Sequence, residues 1–291
     1  MPELPEVETV RIGLSQFLPG KQVAAVWHDW PKSFPNAPAD VEAFLIGAKI
    51  LAVKRRAKVL LIELSTKYSL IIHLKMTGQL VYRDGQERFG AGHPNASLVG
   101  DLPDKSTRVI LDFTRGAKLF FNDQRKFGWM RLLPTAEVPS IDFFRKVGPE
   151  PLAADFTAAQ FAERLRRRPN TSLKAALLDQ TVIAGVGNIY ADESLWCAKL
   201  YPGTLVHNTS QSKLNTLFTC VQGVLNLSIQ KGGSTDRTYV DAKGQRGSYL
   251  SFANVFRREG QPCPRCGTAI VKLKVAGRGT HICPKCQKVA T

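Results

Sequence analysis

The sequence predicts an α+β chain of several domains: an N-terminal all-β part led by a helix, a helical middle, and a C-terminal β-hairpin. Three observations predict it. Short runs rich in Val, Ile and Leu, bounded by polar residues, recur between residues 21 and 122. Apolar residues at helical spacing recur between residues 156 and 229. Two C-x-x-C pairs, Cys263/Cys266 and Cys283/Cys286, bracket an alternating stretch at the end. The 291 residues are 44% hydrophobic and 22% charged, which is globular composition and length for about two domains.

The first element is a helix. Val7, Val10, Leu14 and Leu18 mark one face at spacings of three and four. Pro2 and Pro5 suit a first turn, where the missing N–H has no partner anyway. Glu3, Glu6 and Glu8 complement the positive end of the helix. A good helix start explains all of this. A second reading begins with loss of Met1, which leaves Pro2 with a secondary amine. Such an amine attacks an electrophilic carbon and gives an iminium without a lysine side chain. The helix end disfavours its protonation, and Glu3 is placed to move protons. Nothing in this stretch is a basic run followed by an apolar one, so no targeting signal is expected.

Strands are expected at Lys21–Val26, Lys49–Val53, Val59–Leu64, Leu70–His73, Arg108–Phe113 and Lys118–Asn122. Residues 27–40, with Pro31, Pro35 and Pro38, read as a loop, and so do residues 83–106. Arg55-Arg56-Ala57-Lys58 puts three charges beside a strand, either as a solvated edge or as a phosphate contact. The all-β pattern covers residues 1–134, and residues 135–150 read as a linker. Residues 151–248 are helical at first. An amphipathic stretch at Phe156, Phe161 and Leu165 leads to helices at Leu173–Asp179, Ile189–Ala198 and Asn208–Ile229. A turn containing Gly185 and Gly187 joins two of them in a helix-turn-helix arrangement. Its N–H groups suit a phosphate, although tight packing alone gives the same letters. Lys231 to Ser248 reads as a polar loop able to close on a ligand.

Residues 249–291 carry the four spaced cysteines. Sixteen residues separate the pairs, and Ile270–Val275, Ala276-Gly277 and Thr280–Ile282 form a hairpin that brings them together. Four thiolates match a closed, tetrahedral, structural Zn2+ site, with disulfides as the alternative. His281 is not needed as a ligand. Cys197 and Cys220 lie singly in apolar helical patterns and read as separate core thiols, which fits a reduced, cytoplasmic setting. Lys+Arg is 40 against Asp+Glu 24, a formal charge of +16, which asks for a polyanion: nucleic acid or an anionic membrane surface. No apolar run reaches the length of a membrane span.

At this point the sequence resembles bacterial formamidopyrimidine-DNA glycosylases of the Fpg/Nei family. MPELPEVET at the start, RRAKVLL (55–61), HLKMTGQL (73–80), NDQRKFG (122–128), LLDQTVIAGVGNIYADESLW (177–196), KGGST (231–235) and the cysteine module carry the resemblance, which covers essentially the whole chain. It implies an N-terminal β-sandwich with a catalytic N-terminal helix, a helix-two-turn-helix domain with a lesion-covering loop, and a β-hairpin zinc finger. It implies a monomeric, bifunctional DNA glycosylase and AP lyase in the bacterial cytoplasm, associated with the nucleoid. Such an enzyme excises oxidised purines (8-oxoguanine, formamidopyrimidines) from duplex DNA in base excision repair and also acts at abasic sites. One structural Zn2+ and no redox cofactor are implied. Pro2 would be the nucleophile, Glu3 the acid that assists sugar opening, Glu6 a supporting acid, and Lys58 a contact to the lesion or its phosphate. His73 would lie near the damaged strand. Met76, Arg125 and Phe127 would fill the gap left by the extruded nucleotide, and Asn188 and Arg278 would clamp phosphates, with Gly185 and Gly187 beside them. The base must leave the stack before its glycosidic carbon is reachable, and an apolar wedge offsets part of the unstacking.

Departures from the family pattern bear on lesion preference. Gln124 and Lys126 stand where Pro and a second Arg are common, Asp104-Lys105-Ser106-Thr107 lacks frequent histidines, and Ser234-Thr235-Asp236-Arg237-Thr238 is a polar version of the lesion loop. The competing readings are a Nei-type enzyme for oxidised pyrimidines, a non-catalytic lesion-binding protein, and a helix-turn-helix regulator. Leu4 and the Met76/Arg125/Phe127 set favour the purine branch over the first. Pro2, Glu3 and Lys58 speak against the second. Asp192 and Glu193, acids near the start of the second helix, speak against its lying deep in a groove, as a regulator requires.

Overall fold

The structure, a computed structural model, describes residues 2–85, 87–93, 95–234 and 249–289. The expectations for Met1 and for residues 235–248 lie outside the described residues. Two compact units divide the chain: one runs to Arg145 and includes Lys231–Ser234, the other holds residues 146–230 and 249–289.

The first unit begins with α1, Leu4–Phe17, whose Val7, Val10 and Leu14 are buried as the spacing predicts. Among the described residues nine strands follow: β1 (Val23–His28), β2 (Ile50–Arg56), β3 (Val59–Leu64), β4 (Tyr68–His73), β5 (Gly78–Asp84), β6 (Glu87–Gly92), β7 (Thr107–Phe113), β8 (Lys118–Asp123) and β9 (Trp129–Pro134). They form a sheet of order β1-β7-β8-β5-β6 and a sheet of order β2-β3-β4-β9, with every described pairing antiparallel. One core joins them. Val53, Ile62, Leu70 and Met130 of one sheet and Leu80, Val109 and Phe121 of the other share a cluster with α1. This is the expected sandwich with a helix against it.

Four expectations change. Residues 83–106 are not all loop: β6 pairs with β5 in register Tyr82↔Phe89. Its Gly90 and Gly92 hide the strand from any alternation test, yet Phe89 packs on α1, and a Cβ at Gly13 would run into its ring. Residues 129–134 form β9 against β4, with no clean alternation to announce it. In the presumed loop 27–40, β1 continues to His28 and α2 (Pro38–Asp40) runs into a wide turn that buries Leu45. The presumed linker 135–150 holds a 3-10 turn, Thr135–Ser140, and α3, Asp142–Lys146. Val138, Ile141, Phe143 and Phe144 there cover Val59, Ile71 and Trp129 on the second sheet, so apolar packing, not turn chemistry, orders the segment.

The second unit holds α4 (Ala158–Arg166), α5 (Leu173–Leu178), α6 (Asn188–Cys197), α7 (Gln211–Gln230) and α8 (Tyr249–Phe252), then a hairpin of β10 (Val271–Val275) and β11 (Arg278–Ile282). Thr157 caps α4 in a box with Gln160, and Ser172 caps α5 through the Ala175 N–H. The two-residue hairpin turn places Ala276 at φ 49° and Gly277 at φ 74°, the geometry that suits the twist of the strands. One reading is overturned here. Cys197 and Cys220 are not separate thiols but a disulfide, with Cα atoms 5.8 Å apart. They stand on facing positions of α6 and α7, a proximity that 23 residues of sequence separation conceal.

Candidate active site

On the first unit, Pro2 and Glu3 are buried just ahead of α1. Glu3 is the helix N-cap in extended conformation. Glu6 links two segments. Its Oε2 accepts the Glu3 N–H at 2.8 Å, and its Oε1 accepts the Ser234 N–H at 2.7 Å. Gly233, at φ 85°, leaves a Cβ position only 3.3 Å from the Glu6 carboxylate, so the chain passes close because no side chain intervenes. Glu8 accepts from Arg11 at 2.8 Å and from Arg55 at 2.7 Å, and Arg55 also donates to the Ala57 carbonyl at 2.8 Å. That settles the open reading of Arg55: it straps α1 to the β2–β3 turn. Lys58 sits in that turn after Ala57 at φ 55° and is 6% exposed.

His73 ends β4 and is buried beside Trp129 and Phe143. Burial pushes its pKa down to about 3, with the charges of Lys75 and Lys58 adding to the effect. Its Nδ1 accepts the Lys75 N–H at 3.0 Å, so the neutral ring carries its proton on Nε2.

Met76 lies on the turn between β4 and β5, and Arg125 and Phe127 on the turn between β8 and β9. Buried Asp123 joins the two turns. Its carboxylate accepts the Thr77 hydroxyl and the N–H groups of Arg125 (3.2 Å), Phe127 (2.8 Å) and Gly128 (2.6 Å). The result is a half-exposed Phe127 with the Arg125 guanidinium 4.7 Å from its ring centroid, and a partly exposed Met76. Lys126, at φ 58°, turns instead to the Trp30 ring at 4.7 Å. Arg108 supports the same turn by donating to the Asp123 carbonyl at 2.9 Å. Asp104, Ser106 and Thr107 satisfy one another: the Ser106 N–H and hydroxyl both donate to Asp104 at 2.7 Å.

On the second unit, Gln180 holds the glycine turn. Its Oε1 accepts the Gly185 N–H at 3.0 Å and its amide donates to the Val186 carbonyl at 2.8 Å. Gly185 takes φ 82°, and Gly187 is the N-cap of α6. Asn188 opens α6 and donates to the Gly279 carbonyl at 3.1 Å, while its Oδ1 is buried with no hydrogen-bond partner among the described residues. Arg278 is exposed at the hairpin turn, one residue from that carbonyl. Asn188 and Arg278 are therefore brought together.

The cysteine set passes a fit test. The four Sγ atoms lie within 4.8 Å of one another, with separations of 3.4 Å (Cys266–Cys283) and 3.5 Å (Cys266–Cys286). Tetrahedral Zn–S bonds of ~2.3 Å imply S···S edges of ~3.8 Å. The Trp196 indole N–H points at Cys263 Sγ from 3.4 Å, and the Cys286 N–H points at Cys283 Sγ from 3.4 Å. Such donors stabilise thiolate ligands.

Three stretches match family models: the formamidopyrimidine-DNA glycosylase N-terminal domain at residues 1–130, the formamidopyrimidine-DNA glycosylase H2TH domain at 147–240, and a zinc finger found in FPG and IleRS at 260–289. A formamidopyrimidine-DNA glycosylase of Pelotomaculum thermopropionicum is 42% identical over 290 residues, covering 99% of this chain and 100% of its own. The chain belongs to the formamidopyrimidine-DNA glycosylase family. A second relative, from Streptococcus pyogenes, is 42% identical over 293 residues, with 99% of each chain covered. Among solved structures, a Lactococcus lactis FPG mutant in complex with Fapy-dG containing DNA superposes with a TM-score of 0.87 at 34% identity, covering 99% of this chain and 100% of that one. MutM in complex with carbocyclic 8-oxo-G containing DNA superposes with a TM-score of 0.85 at 33% identity, with the same coverage.

Measured against that family, the sequence reading missed the residues that hold the functional ones. Asp123 and Gln180 lie inside the quoted motifs and Arg108 opens an expected strand, yet the letters assign none of them a role. Asp two residues before a turn's first N–H is the one signal that marks Asp123. Asp192 and Glu193 were misjudged. Neither faces a groove, because both are fully buried. Asp192 pairs with equally buried Lys174 at 2.6 Å and accepts the His281 N–H at 2.9 Å. Lys174 also donates to Thr280 Oγ1 at 2.7 Å and to the Gly279 carbonyl at 3.1 Å. Glu193 accepts the N–H groups of Asn254, Val255 and Phe256, each at 2.8 Å. The two acids dock the zinc module on α6.

Proposed function

We propose that the protein is a bifunctional DNA glycosylase and AP lyase that excises oxidised purines and formamidopyrimidine lesions from duplex DNA. The observation that carries the reading is the pairing of a buried Pro2–Glu3 helix start with full-length kinship to enzymes solved on Fapy-dG and 8-oxo-G DNA. After removal of Met1, the Pro2 amine attacks C1′ of an extruded nucleotide. The glycosidic bond breaks and the base leaves. Glu3 gives a proton to the sugar ring oxygen, the ring opens, and the nitrogen lone pair makes the iminium. The iminium acidifies C2′–H; its loss expels the 3′ phosphate, and a second elimination expels the 5′ phosphate. Glu6 positions Glu3 through the backbone bond at 2.8 Å.

Lys58 and neutral His73 face the damaged strand in this reading, and Met76, Arg125 and Phe127 enter the vacated space. Asn188, Arg278 and the turn at Gly185 and Gly187 take phosphates, which positions the strand without reading its sequence. Zn2+ on Cys263, Cys266, Cys283 and Cys286 supplies rigidity to the hairpin that carries Arg278. A lesion is asymmetric, which favours action as a monomer. The charge of +16 suits a cytoplasmic, nucleoid-associated enzyme, and among the described residues no helix is long and apolar enough to cross a membrane.

Borohydride reduction on an 8-oxoguanine duplex tests the assignment. The wild type forms a covalent protein–DNA adduct at Pro2, and Pro2→Gly, which keeps only a flexible primary α-amine in place of the ring-held secondary one, forms at least about tenfold less of it, a loss of about 1.4 kcal/mol in transition-state stabilisation. Undiminished trapping by the variant, or full activity of protein with Met1 retained by mass spectrometry, refutes it.

A further inference from the structure

A cleft of about 390 Å3 opens on the second unit, between the turn after α6, the start of α7 and the last cysteine pair. Lys199, Lys213, Lys285 and Lys288 line it, flanked by Thr204 and Asn208. All four ammonium groups are exposed, and none is paired with a carboxylate among the described residues. The other basic cleft on this unit, about 370 Å3, is different. There Arg167 pairs with Glu163 at 2.6 Å, Arg168 with Asp179 at 3.0 Å, and Arg164 binds the carbonyls of Thr181 and Val182. Its charge is already used inside the fold, whereas that of the lysine cleft is not.

Two further points sharpen the contrast. Lys285 and Lys288 flank Cys286 in sequence, so only Lys199 and Lys213 stand apart from the cysteine set. Lys199 also sits at φ 56°, the left-handed position after a helix where glycine is the usual residue. A glycine there would serve the helix end at less strain, so the lysine is not explained by the turn. Like charges gathered on one cleft repel, and an oxyanion that accepts from several ammonium groups at once removes the repulsion.

We propose that this cleft is a second phosphate-binding site, sharing no residue with Asn188 and Arg278. Its ligand is a phosphate group of a nucleic-acid backbone or of a free polyphosphate. The site does not depend on the glycosylase reading, and none of its residues belongs to the proposed active site.

The test uses the full-length, zinc-loaded protein and a Lys199→Gln/Lys213→Gln variant, which leaves the residues next to the cysteines untouched. Pyrophosphate binding is measured by calorimetry, and binding to short and long undamaged duplexes is measured across a salt series. If the source is DNA backbone, the variant loses about two units from the slope of log K against log salt on the long duplex, at ~0.9 per contact. If the source is a free polyphosphate, the duplex slopes stay the same and pyrophosphate affinity falls at least about tenfold, the loss expected on removing a charge-assisted contact. Equal zinc content, melting temperature and lesion cleavage in both proteins show that the variant is folded. Pyrophosphate affinity and salt slopes both unchanged overturn the proposal.

Discussion

Asp123 shows how one buried carboxylate organises two turns. Three N–H groups and a hydroxyl converge on its carboxylate, and with them the turns that carry Met76, Arg125 and Phe127. Asp123→Ala strands those donors, so a loss of about 2–4 kcal/mol in unfolding free energy is expected, together with weaker binding of lesion DNA. Denaturant titration and gel-shift measurements check this, and a variant as stable as wild type contradicts it. His73 gives a pH prediction. Its folded pKa, about 3, lies below the ordinary value of 6.5. Between these values the unfolded chain holds the extra proton, so this contribution to stability is complete above about pH 6.5 and is lost as pH falls towards 3. Imidazole 15N shifts at pH 5.5 should show a neutral ring protonated at Nε2, and a charged ring there refutes the assignment. Of this, the letters signal only an Asp placed to cap a turn. His73 was marked by motif, but its neutrality comes from the sheet and from Phe143 packed over it.

At the scale of elements, α6 carries two functions that the sequence showed as one. Its first turn meets the phosphate reading through Gly187 and Asn188, while Asp192, Glu193 and Trp196 grip the zinc module. The buried Lys174–Asp192 pair fixes where the hairpin lies rather than adding much stability, since desolvation offsets most of its attraction. Lys174→Met leaves buried Asp192 without its ammonium partner, which should cost about 3–5 kcal/mol. The Lys174→Met/Asp192→Leu double variant should recover most of that in a thermal melt yet bind DNA more weakly, because the His281 N–H loses its acceptor and Thr280 Oγ1 loses the ammonium that donates to it. Equal DNA affinity in the double variant would count against a positioning role. The helices, their caps and the hairpin turn were legible because each is signalled within a few residues. β6 and β9 were not, because a glycine-bearing strand and one with no clean alternation are defined by their neighbours, β5 and β4.

For the molecule as a whole, zinc removal is the decisive perturbation of the second unit. Without metal, burial pushes the Cys283 thiol up to about 12, while hydrogen bonds from Thr268 hold Cys266 at about 6. Binding therefore releases protons, and zinc affinity falls as the solution becomes more acidic. Chelation should release one Zn2+ per chain and abolish lesion binding while the β-rich unit keeps its circular dichroism; lesion binding that survives full chelation contradicts this. By itself the sequence determined the family, the order of helical and β regions and the four cysteines, because these are matters of local spacing and chemical type. Only the tertiary structure decided that Asp192 and Glu193 are interior anchors, that Asp123 joins the turns carrying Met76 and Phe127, that Cys197 meets Cys220, and that four lysines from distant segments border one cleft. Those facts depend on which surfaces fold against each other, and burial and pairing between residues far apart in the chain leave no periodic trace in it.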